Sequence, residues 1–537
     1  MSDDCNWQGV LRACSLTLLM VVGAAAAGDD LRLVEAAKNQ DRQQIAALLK
    51  GNSNVNVRSA DGSTALLWAS HWNDVWSAEL LLKAGADANA ANDLRMTPLS
   101  RACTNGSPAL VELLLKAGAQ PNTPIGTGET PLMTCAHTGN VDAVRMLLVH
   151  GADVNAKEPT QDQTALMWAA AEQHPTVVTA LIDAHADVKA HTRTGFTALH
   201  FAARGGDLES ARALLDAGLD VNVRALPEPA GGRGAATTAA PERPGGQEAG
   251  GRRAGAPRGG GGPARSGTTF PGATPLLIAT VRGELAFAHF LLDRGADPNV
   301  LDGGFTPLFW AAGTWENGLS NPVYGFVDPV GGIQDRGEKL RLVNALLAHG
   351  ANPNLQMSTR PPTFRGTGSG GFSDAAGATA FIVAANAGDV EIMRILLAAG
   401  ADPKVVTTSG SNALLAATAL TRGIGEFVDE EDHALEAIKF LLDLGLDPKS
   451  VTKFNENALF GPAYRGWNRV MALMIDKGAD VNIVNKGGVT PYLAASGQGD
   501  RIGGVRFNTE GADLLLKHGA DPKLGRPCQA QNRCRPE

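Results

Sequence analysis

The chain has 537 residues, a formal net charge of −8, a hydrophobic fraction of 44% and aromatics at only 5%. That length allows several ordinary domains, and the acidic balance argues against nucleic acid as the main ligand, because neutralising phosphates needs a basic face. Its 64 glycines beside so few aromatics suit many small turns joining Ala/Leu helices.

Residues 1–28 stand apart. An apolar run from Ala13 to Ala27 is followed by Asp29 and Asp30. It reads as a secretory signal with a cut near Ala25–Ala27, too short to span a bilayer. Asp3 and Asp4 sit where such signals carry positive charge, and Arg12 is the one basic residue there. Export predicts a periplasmic or secreted protein; otherwise the chain is cytoplasmic. No second apolar stretch approaches membrane-spanning length. The cysteines are Cys5, Cys14, Cys103, Cys135, Cys528 and Cys534, with no C-x-x-C among them. Zinc ribbons, thioredoxin-like redox motifs and c-type haem attachment therefore lack their spacing.

From Asp29 onward the chain repeats. "STALLWAS", "MTPLSRAC", "ETPLMTCA", "QTALMWAA" and "FTALHFAA" place anchoring threonines at Thr64, Thr97, Thr130, Thr164 and Thr197, spaced by 33, 33, 34 and 33. Thr274, Thr306, Thr379, Asn412, Asn457 and Thr490 continue the series at gaps of 77, 32, 73, 33, 45 and 33. The large gaps are single repeats carrying insertions. A second phrase returns about twenty residues after each anchor, as in "LLKAGADANA", "LLVHGADVNA", "LLDRGADPNV" and "LLKHGADPKL".

Both phrases in register resemble the ankyrin repeat, T-P-L-H-x-A-A followed by L-L-x-x-G-A-D-x-N. The resemblance covers nearly everything from Asp29 to Leu524 outside the insertions. It implies an all-α solenoid of about twelve helix–turn–helix units with β-turn connections, in a curved, elongated stack. It implies repeats at 29–225 and 270–524, with a protein partner in the concave groove.

Elementary chemistry agrees. Threonine suits the N-cap and proline the first helical turn. Glycine nine residues past the anchor (Gly106, Gly139, Gly206, Gly283, Gly388, Gly466, Gly499) breaks the first helix, with Asn73 in that slot once. Gly85 fits a C-terminal cap of the second helix. A single hairpin cannot bury its apolar stripe, so hairpins must stack. Trp68, Trp168 and Trp310 share the slot four places past the anchor and read as packing between neighbours. Asp74 opens a second helix, where an acid favours the dipole. The first unit, "DDLRLVEAAKNQD", lacks the anchor phrase, as a capping unit would.

Residues 226–269 turn to Pro/Gly/Ala with six arginines against three glutamates. This composition reads as a disordered, solvated loop, or as a tether for an anionic partner, and as a free coil its ends would wander roughly 35 Å apart. Exposing Leu277, Ile278, Phe287 and Phe290 would cost several kcal/mol at roughly 25 cal/mol per Å², so one continuous stack with this segment looped out is expected. Smaller insertions fall at 314–339, 356–374 and 421–432, and 525–537 is a tail. The first holds Trp315, Tyr324 and Phe326, an aromatic loop that gives a second reading, small-molecule or carbohydrate binding. Cys528 and Cys534 in the tail could close a disulfide loop in an exported chain. Cys103 and Cys135 read instead as buried small hydrophobes.

Chemical motifs are sparse. "GTGSGG" at Gly366–Gly371 lacks the preceding strand and following helix that dinucleotide binding needs. His150, His349 and His518 sit at helix C-termini, where partial positive charge is favoured. His200 sits where the family's histidine hydrogen-bonds locally and sets the turn. No ligands converge at metal spacing. The expectation is a non-enzymatic monomeric scaffold for another protein, without cofactor, metal or catalytic residues. Its partner would touch His71, Trp72, His137, Glu172, Phe196, Arg204, Arg282, Phe305, Tyr464 and Arg465, with Trp315 and Tyr324 from the insertion.

Overall fold

A computed structural model describes residues 31–51, 53–225, 272–301, 304–313, 333, 335–358, 376–418, 430–498 and 507–526. They fall into two compact units, Met1–Asp220 and Val221–Glu537. All regular structure among the described residues is helical.

The first unit runs α1 (31–38), α2 (Arg42–Lys50), α3 (Ala65–His71), α4 (Val75–Lys83), α5 (Pro98–Thr104), α6 (Pro108–Lys116), α7 (Pro131–Thr138), α8 (Val141–Val149), α9 (Ala165–Ala171), α10 (Pro175–Asp183), α11 (Ala198–Gly205) and α12 (Leu208–Asp216). First helices (α3, α5, α7, α9, α11) pack side by side, second helices (α2 to α12, even numbers) do the same, and each hairpin closes on itself. The core follows the repeat. Leu66, Leu99, Leu132, Leu166 and Leu199, two places past each anchor, are at most 2% exposed, and Leu81, Leu114, Leu147, Leu181 and Leu214 are fully buried. Each such leucine contributes about 2 kcal/mol by leaving water.

The anchors start the helices as expected. Thr64 Oγ1 accepts from the Leu67 amide at 3.2 Å, and Thr97, Thr130 and Thr164 cap likewise. Three residues on, a side chain reaches back: Ser100 Oγ and His200 Nδ1 accept the backbone N–H of Thr97 and Thr197 at 2.9 and 3.0 Å. At Thr97 this completes a reciprocal box, since Thr97 Oγ1 also accepts from the Ser100 amide at 3.1 Å, and two of the orphan donors at the helix start are satisfied. Between the helices one residue turns left-handed, Gly139 at φ 76° and Asn73 at φ 54°. Gln40 and Gln173 adopt the same conformation at φ 59°, each costing about 1 kcal/mol without glycine's freedom.

Cys103 and Cys135 correct the sequence reading. Both are fully buried, as expected, but they form a disulfide between α5 and α7. Cys135 stands in the small-residue slot where first helices approach most closely, five places past the anchor, and Cys103 lies six places past its own. Their Cα atoms come within 4.6 Å, inside the range a disulfide needs. Cys528 and Cys534 lie outside the described residues.

Adjacent turns are joined by asparagines. Asn56 donates to Gly85 O at 3.1 Å and accepts from the Asp87 amide at 2.7 Å. Asn89 and Asn122 repeat both bonds one and two hairpins later. In the second unit Asn222, Asn299, Asn354 and Asn482 do the same. The Asn56 bond spans 29 residues and the Asn222 bond 73, so the ladder steps over 226–271. The flanks of that segment are also tied, since Ala225 N donates to Ala273 O at 3.0 Å. This is the bond that Thr192 N makes to Phe196 O in an uninterrupted turn. Lys189, Lys404 and Lys449 occupy the asparagine position elsewhere.

The second unit contains α13 (Pro275–Arg282), α14 (Leu285–Asp293), α15 (Pro307–Ala312), α16 (Arg336–Ala348), α17 (Ala380–Asn386), α18 (Val390–Ala398), α19 (Ala413–Ala417), α20 (Glu430–Asp443), α21 (Phe460–Arg465), α22 (Asn468–Asp476), α23 (Pro491–Ala495) and α24 (Thr509–Lys517). Leu277, Ile278 and Phe287 are buried. Three details depart from expectation. Residues 336–339, assigned to an insertion, are the first turn of α16, because Asp335 caps it through the Glu338 amide at 2.7 Å and Arg336 pairs with Asp389 and Glu391 at 2.5 and 2.9 Å. Residues 430–432 likewise belong to α20, whose acidic start suits the helix dipole. Asn457 does not cap α21, which begins at Phe460. A helix capped at Asn457 would need the Pro462 N–H to bond back to Ala458 O, and proline has none to give. "GTGSGG" at 366–371 lies outside the described residues. No helix among the described residues is long and apolar enough to cross a membrane.

Candidate functional site

Residues four, seven and eight places past an anchor share one stripe of a first helix. In the first unit that stripe is aromatic and charged. At its start, Trp68 and Trp72 stack with centroids 6.5 Å apart, and His71 meets both rings edge-on at 5.5 and 4.6 Å. The Trp72 indole N–H donates to Lys38 O at 3.0 Å, and the Lys38 ammonium lies 5.7 Å from the Trp68 centroid. Trp72 remains 42% exposed. On the next hairpin Arg101 occupies the Trp68 slot. Burial pushes its guanidinium pKa down, and burial together with Arg101's charge pushes His71 down.

Trp76, on α4, is also exposed; the Arg42 guanidinium lies 5.7 Å from its ring. Arg42 itself is held by Asp74 through Nη2 at 2.7 Å and Nε at 3.1 Å.

Farther along, His137 Nδ1 lies 3.5 Å from Glu172 Oε1, and its ring meets Trp168 edge-on at 5.2 Å. His174 Nε2 is 3.0 Å from His137 O. Beside them burial raises the Glu129 carboxyl pKa, opposed by the Thr127 hydroxyl. The Arg204 guanidinium stands 5.4 Å from the Phe201 ring.

The sequence-predicted residues therefore divide. His71, Trp72, His137, Glu172 and Arg204 lie on the first-helix stripe of the first unit with accessible surface. In the second unit Arg282, Tyr464 and Arg465 are half-buried, and Arg465 covers the Trp467 ring at 5.3 Å. Phe196 and Phe305 are corrections. Both are buried, at 9% and 0% exposure; Phe196 packs on His200 and Phe201, Phe305 on Phe309 and Trp310. The residue before an anchor closes the turn through its backbone, and its ring folds inward. Trp315 and Tyr324 lie outside the described residues.

Lys38, Trp68 and Arg101 were missed as surface residues. Trp168 and Trp310 are framework as expected, at 6% and 2% exposure, but Trp68 is half-exposed. The signal was the slot itself, which holds an arginine at 101 where a purely internal position would stay apolar. Among the described residues no group of His, Cys, Asp and Glu could hold a metal ion.

Comparisons with known proteins identify the repeats. Ankyrin repeats in tandem are matched at residues 33–125, 73–158 and 132–225, and single ankyrin repeats at 272–303 and 376–408. A 68-residue stretch is 43% identical to the ankyrin repeat and KH domain-containing protein mask of Drosophila melanogaster; it covers 13% of this chain and 2% of that protein. The human ASB11 ankyrin repeat domain is similar over 36% of this chain and 86% of its own, at 28% identity and a TM-score of 0.33. The chain carries ankyrin repeats, the class of protein that its stacked hairpins, threonine anchors and glycine turns define. Ankyrin repeats are in general protein–protein interaction modules.

Proposed function

We propose that the chain is a non-enzymatic scaffold that captures another protein along the concave groove of its first helices, outside the cytoplasm. The observation that carries this reading is the aromatic stripe of the first unit. Trp72 is exposed yet held by its bond to Lys38. Tryptophan and arginine are the usual carriers of interface energy, and a pre-ordered side chain loses little entropy on binding. The apolar leader at 13–27 and the buried Cys103–Cys135 disulfide support the location, because disulfides persist in oxidising compartments.

The test is affinity capture from extracytoplasmic and cytosolic fractions of the native host, assayed separately. Wild-type chain is expected to retain a partner from the first fraction. The Trp72→Ala, His137→Ala variant is expected to lose it while keeping wild-type far-UV circular dichroism and melting temperature. A collapse of stability would make these residues core and remove the groove; a partner found in the cytosol alone would remove the location.

A further inference from the structure

We infer that the start of the first-helix stripe recognises an acidic, extended segment of the partner, its carboxylates meeting Lys38 and Arg101 while an apolar side chain lies on Trp68 and Trp72. The inference rests on the scaffold reading and deepens it by naming the partner's chemistry.

Several arginines elsewhere are matched by carboxylates. Arg42 is matched by Asp74, Arg336 by Asp389 and Glu391, Arg193 by Asp162, and Arg469 by Asp432. Arg101 has no hydrogen-bond acceptor or carboxylate for its guanidinium among the described residues, although it is half-buried. Among the described residues Lys38 likewise contacts a ring and no carboxylate. A cation moved partly out of water without a counter-charge is a cost that an incoming carboxylate relieves. The whole chain is acidic at −8, so this cationic, aromatic patch is complementary to an acidic ligand against the background of the rest. A nucleic acid offers continuous phosphates and would be repelled beyond these few cations. A short acidic and apolar segment needs only the local match.

The measurement is fluorescence anisotropy of short labelled peptides alternating Glu with Phe, read against the full chain. Gln-for-Glu and Lys-for-Glu peptides and a single-stranded oligonucleotide are the controls. The Glu peptide is expected to bind at least about tenfold more tightly than the Gln peptide, with the gap closing in high salt. Arg101→Gln and Lys38→Gln should each narrow that gap without altering the Gln peptide, whereas Arg101→Lys should preserve it. Lys83→Gln, an exposed cation on α4 already paired with Glu79 at 2.6 Å, should change nothing. Equal binding of the Glu and Gln peptides, an unaltered gap in folded Arg101→Gln, or displacement of the Glu peptide by the oligonucleotide overturns the inference. Host-partner capture that is undiminished in Arg101→Gln leaves the scaffold standing and removes only the acidic ligand. Failure to capture any host partner removes the scaffold itself.

Discussion

Asp74 shows how much one side chain settles. It is 8% exposed, caps α4 through the Ser77 amide at 3.3 Å, and accepts from Ser77 Oγ and from Arg42 of the preceding hairpin. Burial alone would raise its pKa, but the bonds from Arg42 and Ser77 hold it below the ordinary 3.8. A carboxylate whose folded value is depressed adds stability above its unfolded value, and that stability is lost as pH falls through the folded value. Asparagine at the same place keeps the cap but not the charge. The stability difference between wild type and Asp74→Asn, from urea melts, should therefore be positive at neutral pH and vanish as pH drops below 3.8. A difference independent of pH would show that the ion pair is not what holds Asp74. Asp74→Ala should cost about 1 kcal/mol more, the usual worth of an N-cap. Its place at the helix start was legible because an acid there favours the helix dipole. Its partner Arg42, a hairpin away, was not; nor was the half-exposure of Trp68, which depends on what α1 leaves uncovered.

At the scale of elements, local rules reached far. Threonine anchors, proline at the first turn and the left-handed Gly139 and Asn73 all follow from backbone needs of neighbouring residues. Gly139 has a further constraint, since an added Cβ would lie 2.5 Å from His174 Cε1 in the next hairpin. What local rules could not give were the extra turns of α16 and α20 and the late start of α21. Asp389 pulls Arg336 into the first case, and Pro462 decides the last. Cys103 and Cys135 were both legible as buried, but their pairing required knowing how closely α5 and α7 approach. The asparagine ladder offers a direct test. Lys404 stands where Asn354 stands one hairpin earlier, donating to Gly400 O and accepting from the Asp402 amide. Lys404→Asn would face Gly445 and Asp447 in the same way and should raise stability by about 1 kcal/mol. Asn122→Ala, which removes bonds to Gly151 and Asp153, should lower it by a similar amount. Chemical denaturation reads both; no change in either would mean that water replaces the ladder at no cost.

For the molecule as a whole, stacked hairpins imply energetics that spread from neighbour to neighbour. The Cys103–Cys135 disulfide joins adjacent hairpins across 32 residues, and closing a loop of that size is worth about 2–4 kcal/mol. Its loss should weaken the hairpins on both sides, so reduction is expected to destabilise the first unit as a body. The second unit holds only Cys528 and Cys534, near the end of the chain, and its hairpins should be unaffected. Limited proteolysis along a urea gradient, with peptides assigned by mass spectrometry, separates the two. After dithiothreitol, peptides from 31–220 should be released at lower urea, while those from 272–526 keep their midpoint. The Cys103→Ala, Cys135→Ala variant should fold, because neighbouring hairpins hold alanine in the Cys135 slot, at Ala102 and Ala169, and in the Cys103 slot, at Ala136 and Ala170; it should start from the lower midpoint and show no response to reductant. If reduction instead shifts both units together, and does so in the Cys103→Ala, Cys135→Ala variant as well, the chemistry lies at Cys528 and Cys534. If it shifts neither, and the Cys103→Ala, Cys135→Ala variant titrates two fewer free thiols in urea than the unreduced wild-type chain, the two buried cysteines are unpaired and the oxidising location loses its structural support.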